Sequence, residues 1–174
     1  MKIFMTNLGK YTEGYLIGKW VKLPVSEDKL NEVLEAIGIN EYYEEYFITD
    51  YENEIIGIGD VISEYSSVQA LNELAQRLEE LSDDEADKLG AVLEYEACRS
   101  VSDVLELLDK LDEFDLLTDV TDDEELGYYY AEEYRCIDIP EHIQPYFDYE
   151  KFGRDVRLQS CCLFTSYGFL LDNR

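Results

Sequence analysis

The chain has 174 residues, with 41 Asp and Glu against 14 Lys and Arg, so its formal net charge is −27. Since 46% of the residues are hydrophobic and 13% are aromatic, the composition excludes an intrinsically disordered chain. No apolar run reaches the length of about eighteen residues that a transmembrane helix needs, and the start of the chain lacks the apolar segment of a signal peptide. We therefore expect a cytoplasmic protein without membrane contact.

The first predicted module, residues 1–61, mixes strands with one helix. The runs Lys2–Thr6, Tyr15–Val21 and Tyr46–Tyr51 are rich in aromatic and β-branched residues, which predicts three strands. Apolar residues at helical spacing between Ser26 and Gly38 predict a helix that starts after the serine and ends at the glycine.

Two further modules are predicted, a helical one over residues 62–103 and a mixed one over residues 104–174. In the former, leucines at helical spacing follow Ser67, and Ser82-Asp83-Asp84-Glu85 is a capping-box pattern. Together the three modules predict an elongated α+β protein. The elements expected in the last module are a helix over Val104–Leu111, a strand over Phe114–Val120, a capping box at Thr121–Glu124, a helix over Tyr149–Arg157 and a final strand over Cys161–Thr165.

The acidic residues are spread over the whole chain. The three predicted modules hold 12, 11 and 18 acids against 5, 3 and 6 bases, which excludes an acidic tail. Duplex DNA carries one charge per roughly 1.7 Å, so 27 charges correspond to about 46 Å of duplex. Since self-repulsion tends to destabilise a compact state, such an excess indicates a function, and the expected partner is a large basic surface of a DNA-binding protein.

Two stretches, residues 30–76 and 111–134, contain no Lys or Arg at all. Acids three or four residues apart on a helix stand about 5–6 Å apart, near the phosphate repeat of a DNA strand. For any one cluster a solvated face explains the charge as well. The candidate partner-binding carboxylates in these stretches are Glu41, Glu44, Glu45, Asp112, Glu113, Asp115, Asp119, Asp122, Asp123, Glu124 and Glu125.

Catalytic and metal-binding patterns are poorly represented. No GxSxG, HExxH or P-loop motif occurs, and His142 is the single histidine. Asp50, Glu52 and Glu54 alternate as in a calcium loop but lack its glycine and its last glutamate. The four cysteines form no CxxC pair and are expected to be buried, reduced thiols. We predict no enzyme activity, no cofactor and no metal.

Five segments resemble the ArdA antirestriction proteins, in the order and spacing of that family. The matching segments are Asn7-Leu8-Gly9-Lys10-Tyr11-Thr12-Glu13-Gly14, Gly18-Lys19-Trp20-Val21-Lys22-Leu23-Pro24, Glu44-Glu45-Tyr46-Phe47-Ile48-Thr49-Asp50-Tyr51-Glu52, Leu126-Gly127-Tyr128-Tyr129-Tyr130-Ala131-Glu132-Glu133 and Phe147-Asp148-Tyr149-Glu150-Lys151-Phe152-Gly153-Arg154-Asp155. The middle of the chain matches mainly by its acidic helical character.

The resemblance implies a homodimer joined through the last module. It also implies a DNA mimic that occupies the DNA-binding groove of Type I restriction–modification enzymes, formed by the methyltransferase core with its specificity subunit, without binding nucleic acid itself. Such proteins are carried by mobile genetic elements. Two alternatives remain open at the level of the sequence: an acidic chaperone or sequestering partner of other basic DNA-binding proteins, and an acidic enzyme that binds an ion or a sugar.

Overall fold

The computed structural model describes all residues from Met1 to Arg174, and its helices and two three-stranded antiparallel sheets confirm the α+β class. The chain folds into two compact units, residues 1–86 with 98–108 and residues 87–97 with 109–174. The division into three modules stays a prediction. None of the helices combines the length and the apolar character that crossing a membrane requires.

Six strands and seven α-helices make up the regular structure of the chain. The strands are β1 (Lys2–Asn7), β2 (Gly18–Lys22), β3 (Tyr46–Glu52), β4 (Phe114–Leu117), β5 (Cys162–Thr165) and β6 (Gly168–Asp172). The α-helices are α1 (Leu8–Thr12), α2 (Glu27–Ala36), α3 (Val68–Glu79), α4 (Asp83–Tyr95), α5 (Val101–Leu108), α6 (Asp123–Tyr128) and α7 (Tyr149–Leu158). Short 3-10 helices span Ile58–Val61, Leu111–Glu113 and Gln144–Tyr146, and a π-helical turn spans Tyr129–Glu133.

The sheet of the first unit has the strand order β2-β1-β3. Ile3 and Met5 are fully buried because alternate side chains of a strand share one face. Phe4, between them, packs edge-on against its cross-strand partner Trp20 with 5.3 Å between ring centroids. The helices of this unit supply the rest of its core, through buried side chains such as Val33 and Leu71.

The second unit is built on the sheet β4-β6-β5 and on the packed helices α6 and α7. Phe114 on β4 and Phe169 and Leu170 on β6 are fully buried. Leu126 of α6 is also fully buried and belongs to the same cluster as Phe169. The sheet therefore forms the base on which the acidic start of α6 is held.

Several predicted boundaries are wrong, each for a local reason. The second strand starts at Gly18 because the Tyr15 N–H donates to Lys10 O and closes the turn after α1. β4 ends at Leu117, where a turn bonds the Val120 N–H to Leu117 O. The strand predicted to be final is followed by β6, which forms a hairpin with it and has Gly168 at φ +132°.

The cysteines are free thiols, but the expectation that they are buried is wrong. Cys136 and Cys161 are exposed, and Cys98 and Cys162 are half-buried. Cys162 lies at the start of β5, and its thiol donates to the Arg157 carbonyl at 3.3 Å. Burial raises the pKa of the Cys162 thiol, which keeps it in the neutral form.

Candidate functional site

Three of the candidate carboxylates, Glu41, Glu44 and Glu45, lie in a loop between α2 and β3, which we call the acidic loop (residues 41–45). All three are exposed, and none takes part in an ion pair. Their spacing is that of acids on one face of a helix, but the segment that carries them is not helical. The Asn40 side chain instead accepts bonds from the N–H groups of Tyr42 and Tyr43, a local turn that competes with helix formation.

The segment Asn7–Gly14 holds the acidic loop in place. The Leu8 N–H donates to Glu45 O at 3.0 Å. A Cβ on Gly9 would lie 2.4 Å from the Tyr43 ring, so a larger residue there would displace that ring. The segment that carries the family resemblance thus shapes the backbone that presents the carboxylates.

Lys10 contacts Tyr43 of this loop, and its ammonium is already engaged. Its ammonium donates to the Tyr43 hydroxyl at 2.6 Å and to Glu13 at 3.0 Å, and it lies 4.0 Å from the Tyr43 ring centroid. These hydrogen bonds, that with Tyr43 first, raise the pKa of Lys10. Hydrogen bonds from Tyr43 and Lys10 lower the pKa of Glu13. Lys10 is therefore compensated by Glu13 and leaves the acidic loop unneutralised.

The remaining eight candidates belong to the second unit. Asp112 and Glu113 lie in the 3-10 helix before β4, and Asp115 lies on β4 itself. All three are exposed, and the Asp115 carboxylate accepts a bond from the Asn173 side chain at 2.8 Å. Asp119 lies in the turn after β4 and is exposed. The run from Asp112 to Asp119 thus follows a strand and its two ends.

The start of α6 carries the other four candidates. Asp122 is the N-cap, and its carboxylate accepts the Glu125 N–H at 2.9 Å. Glu125 reaches back to the N–H and the hydroxyl of Thr121, at 2.7 and 2.8 Å. The predicted capping box is therefore displaced by one residue toward the C-terminus, because an aspartate rather than the threonine caps the helix. Glu124 is exposed.

Asp123 differs from its neighbours because it is half-buried and paired. Its two oxygens accept from Arg157 Nε at 2.7 Å and Nη2 at 3.0 Å. The hydrogen bonds from Arg157 lower the pKa of the Asp123 carboxyl. Of the eleven candidates, Asp123 is the one whose charge is locally compensated.

A groove of about 620 Å³ collects part of this acidic surface. We call it the tyrosine groove. Its apolar lining comes from Leu116, Leu117, Val120 and three tyrosines, and five carboxylates but no basic side chain border it. The lining residues are Leu116, Leu117, Thr118, Asp119, Val120, Asp122, Glu124, Glu125, Tyr128, Tyr129, Glu133 and Tyr149.

Tyr149 is fixed at the groove by its hydroxyl, which donates to Glu132 Oε1 at 2.6 Å. This hydrogen bond, together with burial, raises the pKa of Tyr149 to about 12. The Tyr149 ring packs against Tyr128 with 5.7 Å between centroids. The candidate acids were selected from charge and spacing, whereas these tyrosines were not predicted to lie beside them. The unusual count of 15 tyrosines was the available signal.

The geometry defines a class of protein: an acidic α+β protein that presents exposed carboxylates beside tyrosine rings. The family model of the antirestriction protein ArdA matches residues 3–171, so the chain belongs to the ArdA antirestriction family. This confirms the family resemblance found in the sequence. Membership supports an antirestriction function, and with it an interaction with restriction–modification enzymes. No curated protein matches the chain.

Proposed function

We propose that this chain is a non-catalytic inhibitor that occupies the DNA-binding groove of Type I restriction–modification enzymes. Its carboxylates take the positions that phosphates of DNA occupy and engage Lys and Arg of the methyltransferase core and specificity subunit. The observation that carries the proposal is the state of the candidate acids. Ten of the eleven are exposed, and only Asp123 has a basic partner within its own chain.

The energetics favour many weak contacts over one strong contact. An exposed ion pair is typically worth less than about 1 kcal/mol. Affinity in this mechanism therefore comes from the sum over the surface and from electrostatic steering of association. Since phosphate-binding surfaces lose DNA steeply as salt rises, a carboxylate surface in the same groove is expected to behave similarly.

We further propose that the inhibitor acts as a homodimer in the cytoplasm of a cell that receives a mobile genetic element. Two chains carry a formal charge of −54, which corresponds to about 92 Å of duplex. A dimer would thus cover a long DNA-binding groove. Sedimentation equilibrium tests the dimer directly: a mass of one chain at micromolar concentration would contradict it.

The experiment that tests the mechanism is competition for a purified Type I methyltransferase. Labelled DNA is bound to the enzyme, the protein is titrated in at two salt concentrations, and release of the label is followed. Displacement at one dimer per enzyme site, weaker at the higher salt, is expected. A complex of DNA with a basic nucleoid protein is the matched control, and its DNA should stay bound.

Each other result points away from the proposal. Release from both complexes would favour an acidic chaperone of basic proteins. DNA that stays bound to the methyltransferase with the protein in excess, at both salts, would remove DNA mimicry of Type I enzymes.

A further inference from the structure

The tyrosine groove combines an apolar floor with an acidic border, and this combination restricts what it fits. Leu116, Leu117 and Val120 line it together with the rings of Tyr128 and Tyr149. Tyr128 is 51% exposed, so much of its ring is open to a ligand. The floor lies beside β4, which is an edge strand of its sheet. In the groove, exposed tyrosine rings and carboxylates therefore lie side by side.

The charges at the groove are of one sign, and several are free. Glu124, Asp119 and Glu133 are exposed and form no ion pair, whereas Asp122 and Glu125 are occupied by the cap of α6. No Lys, Arg or His lines the groove. Charge complementarity therefore selects a cationic occupant.

Aromatic rings beside carboxylates distinguish between the two common cations of proteins. The guanidinium of arginine is planar, donates in pairs to carboxylates and stacks on aromatic faces. The ammonium of lysine is compact and strongly hydrated, so it gains less from a tyrosine ring. Glu124 and Tyr128 are four residues apart on α6 and both line the groove, so their side chains are neighbours on one helix face where a single arginine is offered a carboxylate and a ring.

We propose that the tyrosine groove binds arginine side chains of a basic protein segment and prefers them to lysine. This inference rests on the proposed function, because the segment belongs to the basic surface of the inhibited enzyme. Charge alone does not distinguish arginine from lysine. The inference adds that the segment of the partner that contacts this groove carries arginines.

A smaller concave site in the first unit has the same make-up. It measures about 280 Å³ and is lined by Leu8, Glu44, Glu45, Tyr46 and Tyr65. Tyr65 is 71% exposed. Two carboxylates of the acidic loop thus also lie beside tyrosine rings. The recurrence of this combination in each unit supports a shared kind of ligand.

The test uses the full chain and two probes of equal charge, hexa-arginine and hexa-lysine. Calorimetry gives the two affinities at one salt, and amide NMR locates the binding. Hexa-arginine is expected to bind about two- to fivefold more tightly, the range of one cation–π contact at an exposed site. The largest shifts are expected at Leu116, Tyr128 and Tyr129.

Variants separate the ring from the charge. Tyr128→Leu should bring the two affinities together, Tyr128→Phe should keep the preference, and Tyr146→Leu is the matched control because Tyr146 is 84% exposed and lies outside the groove. Glu124→Gln should weaken both peptides more than Glu141→Gln, an exposed acid of the same unit outside the groove. Unchanged melting temperatures show that the variants fold.

Three results would overturn the inference. The first is equal affinity for the two peptides, and the second is NMR shifts spread over the whole acidic surface. The third is a set of amide NMR signals from the groove residues that shift with protein concentration and not with added peptide. This result would mean that the groove contacts a second copy of the chain. If the protein still displaces DNA from the methyltransferase, each result removes only the arginine preference. Failure of displacement removes the proposed function whichever peptide binds better.

Discussion

Asp123 at the start of α6 and Arg157 near the end of α7 form a two-pronged ion pair, with N–O distances of 2.7 and 3.0 Å. Their side chains are 21% and 32% exposed, so water screens the pair less than a surface pair. The pair joins two helices that pack directly against each other. Asp123 thus contributes to the packing of the two helices, in contrast to its exposed neighbours, none of which has a basic partner.

Asp123→Asn is expected to lower the free energy of unfolding by about 1–2 kcal/mol at pH 7, between the values typical of exposed and of buried pairs. Urea unfolding measures this free energy. The control is Glu124→Gln, for which we expect the free energy of unfolding to change by no more than about 0.5 kcal/mol. Because Arg157 lowers the pKa of Asp123, the contribution is present above the ordinary value of 3.8 and is lost as the pH falls below it. If Asp123→Asn lowered the free energy of unfolding as much at pH 2 as at pH 7, the stabilising role of the ion pair would be contradicted.

Gly127 and Gly153 meet where α6 and α7 cross. A Cβ on Gly153 would lie 1.9 Å from Asp123 O and 2.5 Å from the Gly127 N, and these backbone atoms cannot turn away as a side chain can. Alanine normally stabilises a helix interior relative to glycine by about 1 kcal/mol. At this crossing we expect the opposite sign.

Gly153→Ala should therefore lower the free energy of unfolding by about 2 kcal/mol or more, the cost of overpacking. Thermal unfolding followed by circular dichroism measures the change. The matched control is Gly59→Ala, whose nearest neighbours would be atoms of the Tyr51 side chain, which is 40% exposed and can give way where backbone cannot. A Gly153→Ala protein as stable as the control would show that the helices separate without cost.

The two helices that form this crossing differ in how far their sequences predicted them. The limits of α7 were predicted closely, because Asp148 caps it and apolar residues follow at helical spacing. The start of α6 was predicted one residue too early, since Thr121 and Asp122 are both good caps and local pattern does not choose between them. The ion pair of Asp123 with Arg157 was not predicted, because the two residues are 34 positions apart and only the packing of the helices joins them.

For the candidate site, too, the sequence predicted the residues better than the contacts between distant segments. Its candidate acids were selected from charge, since residues 111–134 lack any base, and their role in binding stays a prediction. Their setting was not predicted: Glu41, Glu44 and Glu45 lie in a loop because Asn40 and Tyr43 bond within it. Which acids remain free depends on contacts between distant segments, and such contacts leave no periodic signal in one sequence.

Neutralising the acidic loop should weaken inhibition more than an equal change of charge elsewhere. We expect the triple variant Glu41→Gln, Glu44→Gln, Glu45→Gln to lose about tenfold in competition for the methyltransferase, from roughly 0.5 kcal/mol for each exposed contact. The control triple, Glu35→Gln, Glu64→Gln, Glu73→Gln, removes three exposed acids of the same unit. The salt dependence should also flatten only in the loop variant. Equal losses would mean that total charge, and not its position, determines binding.

The C-terminal residues form a second ion-pair cluster, which predicts a loss of stability in acid. Hydrogen bonds from Arg174, first through its side chain, lower the pKa of Asp172 to about 2. Arg174 also pairs with Glu96 and lies 4.5 Å above the Phe114 ring. A carboxyl with a lowered pKa stabilises the fold above its ordinary pKa, and this contribution is lost between about pH 4 and pH 2.

Asp172→Asn should therefore destabilise the second unit at pH 7 and have a much smaller effect at pH 2, where about half of the Asp172 carboxyl is already protonated. Tryptophan is absent from this unit, so amide exchange of β6 is a suitable measurement. Asp119→Asn is the control, an exposed acid in a turn of the same unit, with little effect at either pH. Equal protection of β6 in Asp172→Asn and the unaltered chain at pH 7 would exclude this role.

The net charge itself predicts that salt stabilises the folded chain. With a formal charge of −27, like charges repel across a surface that has few bases to offset them. At 0.15 M salt the screening length is about 8 Å, and at 1 M it is about 3 Å, so added salt weakens this repulsion. The melting temperature should rise between 0.01 and 1 M sodium chloride, and the rise should shrink in the variants that have lost three acids. Because the same salt weakens binding to the basic partner, stability and inhibition should change in opposite directions over one titration. A melting temperature that falls with salt would mean that the few ion pairs, such as Asp123 with Arg157, outweigh the repulsion.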